Sequence, residues 1–167
     1  IGLIWIDAHG DMNTTETSTT GNVHGMPLAH VLGYGTEELM KVVGENSCVK
    51  SRNNVLLGVR DLDSSEKKNI ADSGIKVFTM KEIDLHGISK VVNESISIAM
   101  DGTAGFHVSF DMDAVDPQHA PGVGTPKAGG LTYREAHLCA ELIYDSKKMT
   151  SFDIVEVNPI LDYRNQT

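Results

Sequence analysis

Short apolar runs alternate with stretches of helical periodicity from one end of the chain to the other. Runs at 3–7, 54–59, 75–79, 105–111 and 150–157 have the length and the Val/Ile/Leu/Phe content of strands buried on both faces. Between them, 26–32 and 36–43 carry short apolar stripes. Residues 88–100 place Ile88, Val91, Val92, Ile96 and Ile98 roughly along one helical face. Capping chemistry sharpens two more helices. Asp63 precedes 64–72, which stops before Gly74, and Thr132 with Glu135 forms a capping box at the head of 132–144. Strands separated by helices predict an α/β fold built on a mostly parallel sheet. No internal repeat, low-complexity segment or Pro/Ser-rich linker interrupts the pattern, so a single domain over 1–167 is expected.

Two stretches carry no apolar period. Residues 12–23 and 114–130 are rich in Thr, Gly, Pro and Asn, and each follows the C-terminal end of an expected strand. Loops this long inside a compact domain are usually functional, and the carboxyl edge of an open parallel sheet is where ligands bind.

The same edge gathers unusual chemistry. The first strand runs into Asp7-Ala8-His9-Gly10-Asp11 and the fourth into Asp111-Met112-Asp113, with Asp116 close behind. Extended alternation would send Asp7, His9 and Asp11 to one side, and likewise Asp111 and Asp113. Converging carboxylates at a buried strand end repel one another unless a multivalent cation neutralises them. An oxygen-dominated set with a little imidazole suits Mn²⁺ better than structural zinc, which prefers Cys and His. Either motif alone reads as readily as a cap or a turn; both together, each closing an apolar strand, point to a metal site.

Bulk properties narrow the partners. The net charge of −9 argues against a nucleic-acid partner, and no stretch approaches the ~20 apolar residues of a membrane span. Cys48 and Cys139 fit no metal or redox spacing, so reduced thiols in a cytoplasmic protein are expected. The chain opens directly on a strand-like run and closes on Asn165-Gln166-Thr167, a polar triplet of the kind that caps a helix. Both ends suggest a fragment, incomplete on either side.

Across essentially its whole length the chain resembles the arginase-type ureohydrolases. The resemblance rests on Asp7-Ala8-His9-Gly10-Asp11-Met12-Asn13, Gly21-Asn22-Val23-His24-Gly25, Arg60-Asp61-Leu62-Asp63 and Ser109-Phe110-Asp111-Met112-Asp113. Asp116-Pro117, Gly124-Thr125-Pro126, Gly129-Gly130-Leu131-Thr132-Tyr133-Arg134-Glu135 and Glu156-Val157-Asn158-Pro159 follow in the family's order. It implies a three-layer αβα fold and hydrolysis of L-arginine to ornithine and urea at two Mn²⁺ ions. Asp7 and Asp111 would bridge the ions, Asp11 would complete one site, and His9 with Asp113 the other. Asp11 would also accept a hydrogen bond from the attacking hydroxide, Glu156 would hold the guanidinium, and His24 would shuttle a proton to the leaving amine. Asn13, Thr20 and Asn22 would bind the α-carboxylate, and Asp63 the α-amino group with help from Glu66; Thr125 is placed among the substrate contacts. One further ligand of the family, a His in a Gly-Gly-Asp-His motif, is expected upstream of residue 1, leaving one metal short of a ligand within these residues. Family resemblance also implies a homo-oligomer, trimer or hexamer, and places further chain beside the 150–157 strand.

Three other readings stay open. Agmatinases and other guanidino ureohydrolases share the metal motifs. A truncated ureohydrolase domain that folds and catalyses nothing is consistent with the absent histidine. A deacetylase-like single-Zn²⁺ site fits less well, because the two motifs together furnish ligands for two ions.

Overall fold

The computed structural model describes residues 1–43 and 49–167; Cys48 lies outside the described residues. Five strands, β1 (Gly2–Ile6), β2 (Asn54–Val59), β3 (Lys76–Thr79), β4 (Phe106–Asp111) and β5 (Met149–Val155), form one sheet in the order β3-β2-β1-β4-β5. Every pairing is parallel. All five coincide with the apolar runs to within two residues at each end.

Helices cover both faces. On one side α4 (Met80–His86), α5 (Ile88–Ala99) and α6 (Tyr133–Asp145) pack Ile83, Val91, Val92, Cys139 and Ile143 against Ile4, Ile6, Val55, Leu57, Phe106 and Val108. On the other, α1 (Pro27–Val31) and α3 (Ser64–Ser73) bring Leu28, Ala29 and Ile70 against Leu3, Trp5 and Leu56. The short α2 (Glu37–Val43) sits beside α1. Consecutive residues of β1 thus feed opposite cores, which is why this strand reads as an uninterrupted apolar run. The result is a three-layer αβα architecture.

Only α4 escapes the apolar periodicity. Its seven residues bury Ile83 alone, too thin a stripe to register, although Thr79 and Glu82 form a capping box at its head. The cap of α3 is complete as well: the Asp63 side chain accepts from the Ser65 and Glu66 amides while the Glu66 side chain returns to the Asp63 amide. Cys139 is a buried free thiol on α6, its pKa pushed up by burial to about 12. Strand β5 forms an edge of the sheet, and all seven of its residues are exposed.

Candidate metal centre

Strands β1, β2, β4 and β5 all point their carboxyl ends at the same region. Asp7 directly follows β1, Asp111 closes β4, and one ligand atom each from Asp7, His9 and Asp113 lie within 4.8 Å of one another. Of the five residues expected to converge, these three come together within that distance, and by a different route from strand alternation. β1 ends at Ile6, the chain bends at Ala8 and His9, and Asp11 sits in the left-handed region at φ 51°. Asp113 lies not in extended backbone but in a 3-10 turn, Met112–Ala114, whose N-cap is Asp111 accepting from the Asp113 amide at 2.8 Å. Alternation along a strand would have carried successive ligands outward. Turns instead fold them back on one centre, because the Ala8 backbone groups beyond the strand are satisfied by distant segments and not by a strand partner. Ala8 O accepts from both Arg60 N and Asp61 N, and Ala8 N donates to Asp113 Oδ1 at 3.2 Å.

Electrostatics sets the chemical character of this cluster. Asp7, Asp11, Asp111 and Asp113 are all buried. Burial raises the pKa of Asp7 and Asp11, and repulsion from neighbouring carboxylates pushes each further. Asp111 is driven by burial, then by Asp7 and Asp113, to about 9. Burial works against ionisation of Asp113 too, yet its contact with His9 overcomes this and holds it below the usual range. On His9 burial favours the neutral ring, but Asp113 at 3.0 Å and Asp7 at 3.4 Å hold its pKa up at about 10. A site with four carboxylates and one imidazole that takes up protons this avidly is deficient in positive charge. Divalent cations would supply it, and a donor set of hard oxygens with one imidazole is of the kind that suits Mn²⁺-type ions rather than thiolate-bound zinc.

The ligands are held from behind by residues for which the sequence offered no role. Trp5 Nε1 donates to Asp7 Oδ2 at 3.0 Å, and Asp61 stands 3.8 Å from His9 Nε2. A hydrogen bond such as that from Trp5 orients a candidate ligand, whereas Asp61, beyond hydrogen-bond distance, contributes charge alone. Thr125 donates its hydroxyl to Asp113 Oδ2 at 3.0 Å, so it braces a candidate ligand and does not only face the cavity. His107, on β4, pairs with Ser151 and Asp153 on the sheet face and takes no part in the centre.

Above the ligands opens a cavity of about 250 Å³. His9, Asp11, Asp111 and Asp113 floor it, and Asn13, Thr20, Asn22, His24, Glu66, Thr125 and Glu156 line its walls. Ser18, unremarked in the sequence, lines it too, carried by the same polar loop. Asp7 lies behind the floor. Asp63 stays outside the lining, capping α3, with Asn13 Nδ2 donating to it at 2.9 Å. Glu156 leaves β5 in the left-handed region at φ 60°, and an antiparallel bridge between Val123 and Val157 brings it to the 121–126 loop. His24 sits in a short 3-10 turn, Val23–Gly25, exposed at the cavity mouth.

Comparison with known proteins agrees with this arrangement. The chain matches the family model described as the Arginase family over residues 1–167. It is 52% identical over 167 residues to an arginase of Bacillus caldovelox, covering 100% of this chain and 56% of that protein. The native structure of the caldovelox arginase superimposes with a TM-score of 0.96 over 99% of this chain. An Entamoeba histolytica arginase in complex with L-ornithine, 35% identical, superimposes with a TM-score of 0.89 over 96% of this chain and 54% of its own. The chain thus spans little more than half the length of the relatives it matches. With the family model matched over all 167 residues and half of its positions identical to a curated arginase, the chain belongs to the arginase family.

Proposed function

We propose that the protein containing this chain hydrolyses L-arginine to L-ornithine and urea at a pair of Mn²⁺ ions. The observation that carries this reading is the cavity itself. Carboxylates and an imidazole suited to metals share its lining with the polar side chains of Asn13, Thr20, Asn22, His24, Glu66, Thr125 and Glu156. Asp7, His9, Asp11, Asp111 and Asp113 would hold the ions. When bound, such a pair lowers the pKa of water toward neutrality and stabilises the charge that develops at a tetrahedral carbon.

The remaining chemistry belongs to the chain. Asp11 accepts a hydrogen bond from the attacking water and so aims it at the guanidinium carbon. Glu156, on the opposite wall, takes the guanidinium in a charge-assisted contact and fixes its plane. His24, exposed in the lining, delivers a proton to the departing amine as a general acid. Asn13, Thr20 and Asn22 offer neutral donors to the α-carboxylate, and Asp63 with Glu66 receives the α-amino group. The ornithine complex of the Entamoeba relative supports a product of this shape. Neutral donors on the 13–22 loop favour arginine over agmatine, which has no carboxylate for them to bind. The protein is assigned to the cytoplasm on its thiol usage.

Urea release from arginine and from agmatine, measured on Mn²⁺-loaded protein with metal content determined in parallel, tests the reading. Turnover of arginine with two ions per active site is expected. Equal or faster turnover of agmatine would transfer the chain to another ureohydrolase activity, and no urea from either substrate would remove the hydrolase reading.

A further inference from the structure

Arg60 opens the Arg60-Asp61-Leu62-Asp63 motif, and the proposed chemistry gives it nothing to do. Its surroundings are unusual for an arginine beside carboxylates. The guanidinium makes no ion pair among the described residues and spends its donors on five backbone carbonyls. Nη2 donates to Asp113 O at 2.7 Å and to Lys127 O at 2.6 Å. Nη1 reaches Ala114 O at 3.2 Å and Gly58 O at 3.4 Å, and Nε reaches Lys127 O and Ala128 O. Its own amide donates to Ala8 O at 2.9 Å. One residue therefore ties together the two segments that carry the candidate ligands, 7–9 and 111–114, and the 127–130 loop behind them.

The loop is shaped to admit this fork. A Cβ on Gly130 would stand 2.5 Å from Arg60 Nη2 and 2.7 Å from both Ala114 O and Asp116 N. Asp116 Oδ2 in turn accepts from the Gly129 and Gly130 amides at 2.7 and 3.1 Å. A planar group with five fixed donors can satisfy converging carbonyls in this way; an ammonium on a flexible stem cannot.

We propose that Arg60 is a positioning residue of the metal centre, which sets the distance between the His9-bearing segment and Asp113. It would thereby control uptake of the ion those two residues hold. The proposal rests on the two-ion reading above. It acts on one side of the centre only, since none of the Arg60 bonds reaches Asp11 or the backbone of Asp111.

Arg60→Lys preserves the charge and removes the fork. Titrated with Mn²⁺, the variant protein is expected to bind one ion as the wild type does and the second about 10–100-fold more weakly, the usual cost of losing an outer partner of a metal ligand. The electron paramagnetic resonance spectrum should change at intermediate metal from that of a coupled pair to that of an isolated ion. Arg60→Gln, which keeps a planar amide but is too short to reach the same carbonyls, should give the same selective loss. It serves as the second variant should Arg60→Lys not fold. Equal weakening of both ions, or unchanged binding of both, overturns the proposal while leaving the two-ion site intact. A wild-type protein that takes up no ion would instead overturn the metal reading and this inference with it.

Discussion

Asp111 shows how much a single side chain can be asked to do. It closes β4, caps the turn that presents Asp113, and sits between Asp7 and Asp113 in a buried cluster that holds its pKa near 9. Asp111→Asn keeps the cap acceptor and removes a charge, so the turn should survive while metal content and arginine turnover fall together. An active variant with full metal would exclude Asp111 from the centre. Asp63 lies outside the cavity lining, where it caps α3, and carries a proposed second duty toward the α-amino group. Asp63→Asn retains the α3 cap and should raise KM for arginine on the order of tenfold with kcat and metal content unchanged, since hydrogen bonds to charged groups contribute ~1.5–3 kcal/mol. Wild-type kinetics would reduce Asp63 to its capping role. Titration couples the cluster to stability. His9, raised to about 10, stabilises the fold fully below its unfolded pKa near 6.5 and progressively less as pH rises toward 10. Asp111, raised to about 9, likewise loses its contribution as pH climbs from the ordinary carboxylate value of 3.8 through 9. Asp113, held low, gains its contribution near its ordinary value and is constant above it. With chelator present, the melting temperature should therefore decline between pH 6.5 and 9. The increment from added Mn²⁺ should grow over the same range, because ligands must be deprotonated to bind. A chelated protein whose melting temperature rises through that window would contradict the charge balance described for the centre.

At the level of elements, side-chain caps mark where α3, α4 and α6 begin, while α1 and α5 start without one. Three helices start with a reciprocal Asp/Thr–Glu box, at Asp63/Glu66, Thr79/Glu82 and Thr132/Glu135. The last heads α6, whose Cys139 and Ile143 pack into the larger core. Thr132→Ala should cost about 1 kcal/mol in chemical denaturation, within the usual range for such caps, and Thr132→Ser only a fraction of that. An unchanged unfolding midpoint for the alanine variant would show that packing alone holds the start of α6. The box at Thr79 would have revealed α4, whose apolar stripe is too narrow for periodicity to detect. Strand β5 is the opposite case. Its sequence reads as a strand, but nothing local says which of its faces is covered.

Among the described residues nothing pairs with the outer side of β5, and Phe152, Ile154 and Val155 are exposed. On one face Phe152 and Ile154 form an apolar groove with Phe110, Val115, Ala136 and Ala140. Leaving a large apolar side chain in water forfeits roughly 1.5–3 kcal/mol of burial, and an open edge offers a template for further pairing. The 167-residue chain expressed by itself should therefore self-associate and show little or no arginase activity. Sedimentation at increasing concentration, with urea release measured on the same samples, checks both. A monodisperse, cooperatively melting chain that releases urea at a rate typical of an arginase would refute the expectation.

What the sequence by itself determined is considerable: the strands and most helices, the parallel αβα class, and the residues gathered at the carboxyl edge. Apolar runs and caps are local signals, and the requirement that a buried strand feed two cores leaves its mark on consecutive residues such as Leu3 and Ile4. Motif order then identified the family, because Asp7-Ala8-His9-Gly10-Asp11 and Asp111-Met112-Asp113 are specific as a pair. How those ligands meet was decided only in three dimensions. Strand alternation suggested one route, and the turns at Ala8, Asp11 and Met112–Ala114 take another. The contacts that hold the turns, from Trp5, Asp61, Thr125 and above all Arg60, join segments up to 68 residues apart. Such contacts depend on which carbonyls and carboxylates the fold leaves facing one another, and no periodicity along the chain records that.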